Sequence, residues 1–124
     1  MVLTFILVLD LCFQILFRGQ SKGVMNAGIS FGLLPGLGSW VGVGVFLALV
    51  IWFLVSSKTN KNQLWLLALL FGGLGNLLPR LVLGSVWDYL YFPVLAFWFN
   101  LSDVLITGGV ISYILGGDGN PNFI

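Results

Sequence analysis

Leu64-Trp65-Leu66-Leu67-Ala68-Leu69-Leu70-Phe71-Gly72-Gly73-Leu74-Gly75-Asn76-Leu77-Leu78-Pro79-Arg80 is the stretch on which the fold turns. It holds no charge before Arg80, and a helix needs roughly 17–25 mostly apolar residues to cross the hydrocarbon of a bilayer. Proline lacks a backbone N–H and ends or kinks a helix, so the run predicts a membrane span over residues 64–79. The rest of the chain has the same character. Of 124 residues, 59% are hydrophobic and 7% charged, with no His, a single Cys and a net charge of +1. An ordinary globular domain carries about 25% charged residues, so this chain lacks a surface suited to water. A nucleic-acid binder needs a basic face, and a His/Cys metal centre needs more ligands than one thiol; both classes are excluded. The composition predicts a small, single-domain, all-α integral membrane protein.

Working outward from that run, three more spans emerge, over residues 1–17, 37–55 and 100–116. The first is interrupted by Asp10 and Gln14; it has neither a basic leader region nor a small-residue cleavage site and reads as a retained helix. Residues 18–38, Gly-rich with Pro35, read as a loop with extended segments. Residues 56–63 form a short polar turn holding Lys58 and Lys61, and residues 80–99 combine charges, Pro93 and a dense aromatic group. The tail, 117–124, is rich in Gly and Asn and reads as loose. Four spans put both termini on one side. Trp40, Trp87 and Trp98 then fall at one interface and Trp52, Trp65 and Tyr113 near the other, as amphipathic rings prefer. Arg18, Lys22 and Arg80 lie on one side and Lys58 and Lys61 on the other. With Arg80 set aside as a functional candidate the basic residues balance, and charge alone leaves the orientation open.

The acidic residues are Asp10, Asp88, Asp103 and Asp118, with no Glu. An Asp at the centre of a spanning helix costs on the order of 2.5–3.5 kcal/mol, so it has a partner or a wet cavity and is a functional candidate. Asn100 and Asp103, three apart, share a helix face, as do Asn76 and Arg80 if their helix runs through Pro79. Both pairs lie at the same end of their spans with Asp88 between them in the chain, so all can meet in one pocket at one membrane surface. Two carboxylates in one site share a proton; one then acts as base on a water while the other supplies a proton, the arrangement of an aspartic protease. Plainer readings stand beside this one. Asn100 can cap the fourth helix with Asp103 answering the helix dipole, and Arg80 can snorkel to lipid phosphates. Asn76 among Gly72, Gly73 and Gly75 can be a helix-packing surface, and Asp10 can serve only to tie helices together.

The same residues carry a resemblance. Gly72-Gly73-Leu74-Gly75-Asn76-Leu77-Leu78-Pro79-Arg80-Leu81, followed by Gly84-Ser85-Val86-Trp87-Asp88-Tyr89, is similar to the G-N-x-x-D-R…G-x-V-x-D-F block of bacterial lipoprotein signal peptidase (signal peptidase II). Phe99-Asn100-Leu101-Ser102-Asp103 resembles that family's F-N-x-A-D motif, and Asn26-Ala27-Gly28-Ile29-Ser30-Phe31-Gly32 its N-x-G-A-A-F segment. The three blocks occur in the family's order.

The resemblance implies an aspartic endopeptidase of the bacterial cytoplasmic membrane that removes signal peptides from diacylglyceryl-modified prolipoproteins, cutting just before the lipidated Cys. Asp88 and Asp103 would be the catalytic pair; Asn26, Gly28, Asn76, Arg80 and Asn100 would contact substrate or shape the pocket. It implies four spanning helices, cytoplasmic termini, an active site at the outer face, no metal or other cofactor, and a monomer whose partners are prolipoprotein and membrane lipid. Short extracytoplasmic loops leave room for a small β-cradle at most, and the aromatic run Tyr89-Leu90-Tyr91-Phe92-Pro93 would lie on the interface, as a helix or cover over the site. Two positions depart from the family pattern: Pro79 stands where the family has Asp, and Gln14 where it has a Lys four residues after Asp10. A non-cleaving binder of lipoprotein or signal peptide, or a small structural membrane subunit, are the alternatives.

Overall fold

The structure, a computed structural model, describes residues 1–27, 37–56 and 63–116. Gly28, the polar turn with Lys58 and Lys61, and the tail with Asp118 lie outside the described residues. In chain order the elements are α1 (Val2–Gly19), β1 (Val24–Asn26), α2 (Gly38–Ser56), α3 (Leu64–Leu83), β2 (Val86–Asp88), β3 (Leu90–Phe92), β4 (Phe97–Phe99) and α4 (Leu101–Gly116). The four described helices follow the apolar runs of the sequence. By length and composition α1 and α3 suffice to cross a membrane, with mean hydropathies of 1.9 and 1.8, while α2 and α4 supply shorter apolar stretches, Ser39–Val55 and Leu101–Leu115.

The packing is inverted relative to a water-soluble protein. Among the described residues the buried apolar side chains are Trp65, Leu66, Leu77 and Val86, whereas ten polar or charged ones are buried, Asp10, Gln14, Asn76, Asp88 and Asn100 among them. Large apolar side chains such as Phe5, Ile51, Val82 and Ile114 point outward. Lipid, not water, is the solvent in which such a surface is stable.

Helix α3 is the centre, packed against α1, α2 and α4. Its glycines set how close the neighbours come. A Cβ on Gly72 would lie 2.7 Å from the Ser102 carbonyl oxygen of α4, and one on Gly109 of α4 would lie 2.7 Å from the Trp65 carbonyl oxygen of α3. Small residues let helix backbones approach where no hydrophobic effect drives them together. At the far end Trp52, Trp65 and Tyr113 cluster, with ring centroids 4.7–6.0 Å apart, in keeping with an aromatic group at one interface.

Two expectations need correction. Pro79 does not end α3: the helix continues to Leu83 and stops at Gly84, whose left-handed backbone (φ 79°) directs its N–H to the Arg80 carbonyl at 3.0 Å. The aromatic run is not an interfacial helix but half of a hairpin. β3 pairs antiparallel with β4 (Leu90 opposite Phe99, Tyr91 opposite Trp98), because aromatic residues suit a pleated strand and 93–96 make the turn. A second antiparallel pair joins β1 to β2, with Val24 opposite Asp88 and Asn26 opposite Val86. Asp88 therefore leads into the hairpin and Asn100 leaves it.

Candidate active site

Four elements bring the polar residues together. β2 ends on Asp88, α3 presents Asn76 and Arg80 one turn apart, and α4 starts at Leu101 directly after Asn100. Asn26 is brought in by β1, whose pairing partner is β2. That pairing requires a close approach: Gly23 has φ 116°, and any Cβ there would collide with the Asp88 carbonyl.

Asn100 does two jobs. It caps α4 in a reciprocal box: its Oδ1 accepts the Asp103 N–H at 2.9 Å, and Asp103 Oδ2 accepts the Asn100 N–H at 3.1 Å. Its Nδ2 meanwhile donates to Asp88 Oδ1 at 3.0 Å and to Asn76 Oδ1 at 2.9 Å. Asn76 Nδ2 donates to Asp103 Oδ1 at 2.8 Å, and Asn26 Nδ2 to Asp88 Oδ2 at 3.2 Å. The capping and clustering readings of Asn100 and Asp103 are thus both satisfied by one geometry. Arg80 is buried and donates to its own helix, at Asn76 O (3.0 Å). Asp88 is 3% exposed, while Asp103 is only half-buried. Burial, and secondarily the Asp103 carboxylate, push the Asp88 carboxyl up to about 6, against the opposing pull of Asn26, Asn100 and Arg80.

A second polar cluster backs the first. Asp10, fully buried on α1, accepts hydrogen bonds from Gln14 Nε2 (2.8 Å), Tyr89 OH (2.6 Å), the Leu101 N–H (3.1 Å) and Ser102 Oγ. Four donors without formal charge thus satisfy its carboxylate, linking α1 to α4 and to the residue after Asp88. Burial and then the Asp10 carboxylate hold the Tyr89 phenol above its ordinary range, so it remains a donor. The Tyr89 ring stacks on Phe17 (5.2 Å) and meets Phe13 edge-on (5.7 Å). At the C-terminus of α1, Arg18 donates to Ser85 O (2.8 Å) and lies over the Trp87 ring, while Trp87 Nε1 donates to Lys22 O (2.7 Å).

The expected residues Asn26, Asn76, Asp88, Asn100 and Asp103 form one hydrogen-bonded group, and Arg80 adjoins it. Gly28 lies outside the described residues. Sequence reading missed Tyr89 and Ser102 as partners of Asp10. Tyr89 opens an aromatic run; its hydroxyl, directly after the candidate Asp88, is the available signal.

Beside the cluster, an apolar groove of about 420 Å³ opens between α2, α3 and α4, with Val45, Phe46, Leu69 and Val110 along it and Asn76 and Arg80 at its polar end.

The chain is 40% identical over 100 residues to the lipoprotein signal peptidase of Anaplasma marginale, covering 73% of this chain and 58% of that protein. It is 39% identical over 92 residues to that of Desulfitobacterium hafniense, covering 70% and 60%. The chain thus spans about three fifths of the length of these curated relatives. Its fold matches a bacterial membrane enzyme solved by the in meso method, with a TM-score of 0.73, 24% identity, and coverage of 92% of this chain and 83% of that one. The family described as Signal peptidase (SPase) II matches residues 4–117, nearly the whole length, and to that family the chain belongs.

Proposed function

We propose that the chain is an intramembrane aspartic endopeptidase that removes signal peptides from diacylglyceryl-modified prolipoproteins, cutting before the lipidated cysteine. The observation that carries this reading is the Asn100 carboxamide, which donates to Asp88 while Asp103 closes the same residue's backbone. One residue thereby ties together two carboxylates, one from β2 and one from the first turn of α4, in a single site.

With Asp88 carrying the proton of the pair, Asp103 is the ionised partner and the base. Asp103 takes a proton from a water as the water oxygen adds to the scissile carbonyl carbon, and Asp88 gives its proton to the carbonyl oxygen. The gem-diol collapses as Asp103 protonates the amide nitrogen, Asp88 recovers a hydroxyl proton and the C–N bond breaks. The products are the signal peptide's new carboxyl group and the free amine of the lipidated cysteine. The pair returns to its starting state. Asn26, Asn76 and Asn100 keep the carboxyl oxygens oriented, which removes reorganisation from the barrier.

The apolar groove with Asn76 and Arg80 at one end suits a helical apolar segment whose polar end reaches the pair. All four helices span the bacterial cytoplasmic membrane, the termini are cytoplasmic, the pair sits at the outer face, and Gly28 contributes to the pocket. The enzyme works as a monomer.

The test is cleavage of diacylglyceryl-modified preprolipoprotein in proteoliposomes. Asp88→Asn and Asp103→Asn are each expected to lose cleavage by more than about a hundredfold while still binding substrate. Full turnover by either variant overturns the assignment of the pair. An unmodified protein that binds and never cuts is instead a pseudoenzyme, and one that does neither is a structural subunit.

A further inference from the structure

We propose that Gln14 is a positioning residue for Asp88, and that it is needed because Pro79 leaves the carbonyl of Gly75 without a backbone donor. In a continuous α-helix the N–H of residue 79 donates to the carbonyl of residue 75. Pro79 has no N–H and its ring presses on that same carbonyl, yet α3 runs on to Leu83. An unsatisfied carbonyl inside a membrane protein is costly. Gln14, 61 positions earlier in the chain and 2% exposed, supplies the donor: its Nε2 reaches Gly75 O at 3.0 Å.

The rest of the Gln14 carboxamide is committed too. The second Nε2 hydrogen goes to Asp10 Oδ2 at 2.8 Å, and Oε1 accepts the backbone N–H of Trp87 at 3.3 Å. The same side chain therefore supplies the donor missing in α3, joins α1 to it, and holds the backbone N–H of Trp87, the residue before Asp88. Gly75 permits this convergence, because a Cβ there would collide with Ser102 and come within 3.1 Å of Asp10 Oδ2. Among the residue types that match this reach, only a carboxamide offers two donors and an acceptor together.

This role rests on the catalytic assignment above only for its effect on cleavage; the link between Gln14 and Pro79 is a property of the fold and is read separately. The experiment is a double-mutant cycle of Gln14→Met, which keeps length but forms none of the three bonds, and Pro79→Ala, which restores the missing N–H. The full-length protein is followed by thermal unfolding in detergent and by cleavage of diacylglyceryl-modified preprolipoprotein in proteoliposomes. Gln14→Met is expected to lower the unfolding temperature, and in the Pro79→Ala background that loss should shrink by half or more, since α3 then supplies its own donor. In cleavage, Gln14→Met should lower kcat by roughly tenfold with KM little changed, and should displace the alkaline limb of the pH profile that reports Asp88. Equal temperature losses in both backgrounds overturn the pairing of Gln14 with Pro79. A coupled temperature loss with an unaltered kcat and pH profile overturns the positioning role. If Gln14→Met alone does not fold, recovery of folded protein on adding Pro79→Ala supports the pairing, and failure to recover overturns it. An unmodified protein that never cleaves counts against the catalytic reading, while the temperature cycle still decides the link.

Discussion

Asp88 is the residue at which structure and chemistry pull against each other. Its carboxyl, ordinarily near 3.8, is pushed up to about 6 chiefly by burial. The folded protein therefore holds the Asp88 proton more tightly than the unfolded chain does, and between these two values stability falls as pH rises. Asp88 costs nothing below about pH 4 and its full penalty, on the order of 3 kcal/mol, above about pH 6. The unfolding temperature should decline over that window, and Asp88→Asn should flatten the decline; an unchanged slope in the variant would assign the pH dependence to another group. Because the proposed acid is the protonated form, kcat/KM should also fall above about pH 6. The residues of this site were legible because they are anomalies: in so apolar a chain, Asp88, Asp103, Asn76 and Asn100 each need polar partners, and meeting one another supplies them. What could not be read was Tyr89, whose ring fits the aromatic segment and whose hydroxyl finds its main partner in Asp10, 79 positions earlier.

At the scale of elements, the α3–α4 contact holds Asn76 against Asp103. Gly72 meets backbone of α4, with the Ser102 carbonyl oxygen 2.7 Å and the Ile106 N–H nitrogen 3.0 Å from an ideal Cβ, whereas Gly73 meets only the ring edge of Phe46 on α2, at 3.2 Å. A backbone cannot step aside; an aromatic side chain can. Gly72→Ala should therefore destabilise the fold by about 1–3 kcal/mol and weaken cleavage, while Gly73→Ala should stay within about 1 kcal/mol of the parent. Equal effects of the two in thermal unfolding would refute this account of the interface. The glycines were recognisable beforehand as a packing surface, but not which helix each one faces. The end of α3 was misjudged for a related reason. Pro79 is a helix breaker by local rules, and the donor that meets the carbonyl it leaves without a backbone N–H comes from 61 positions away, Gln14 on α1. The strands escaped notice because segments of three residues carry too little periodicity to register.

At the scale of the whole molecule, the inside is polar and the outside greasy, so the folded chain has a hydrogen-bonded polar seam along α1, α3, α4 and β2. The groove of about 420 Å³ between α2, α3 and α4 has an apolar wall that runs up to that seam, reaching Asn76 and Arg80. Its size falls within the range of ordinary ligand sites, roughly 300–1,000 Å³. If it seats the apolar segment of the substrate, occupancy and chemistry are separable: filling the groove should impair binding and leave the carboxyl pair untouched. Val45 is a suitable position, since it lines the groove from α2 and is 56% exposed, so a larger side chain meets no packed core. Val45→Trp should raise KM for diacylglyceryl-modified preprolipoprotein by about tenfold with kcat and unfolding temperature nearly unchanged, because binding energy common to ground and transition states enters KM alone. A fall in kcat at constant KM would mean that the segment lies elsewhere and that α2 serves the pair indirectly. A rise in KM combined with the intact pH profile of Asp88 would locate recognition in the groove and reaction in the seam, two functions on adjoining faces of the same helix α3.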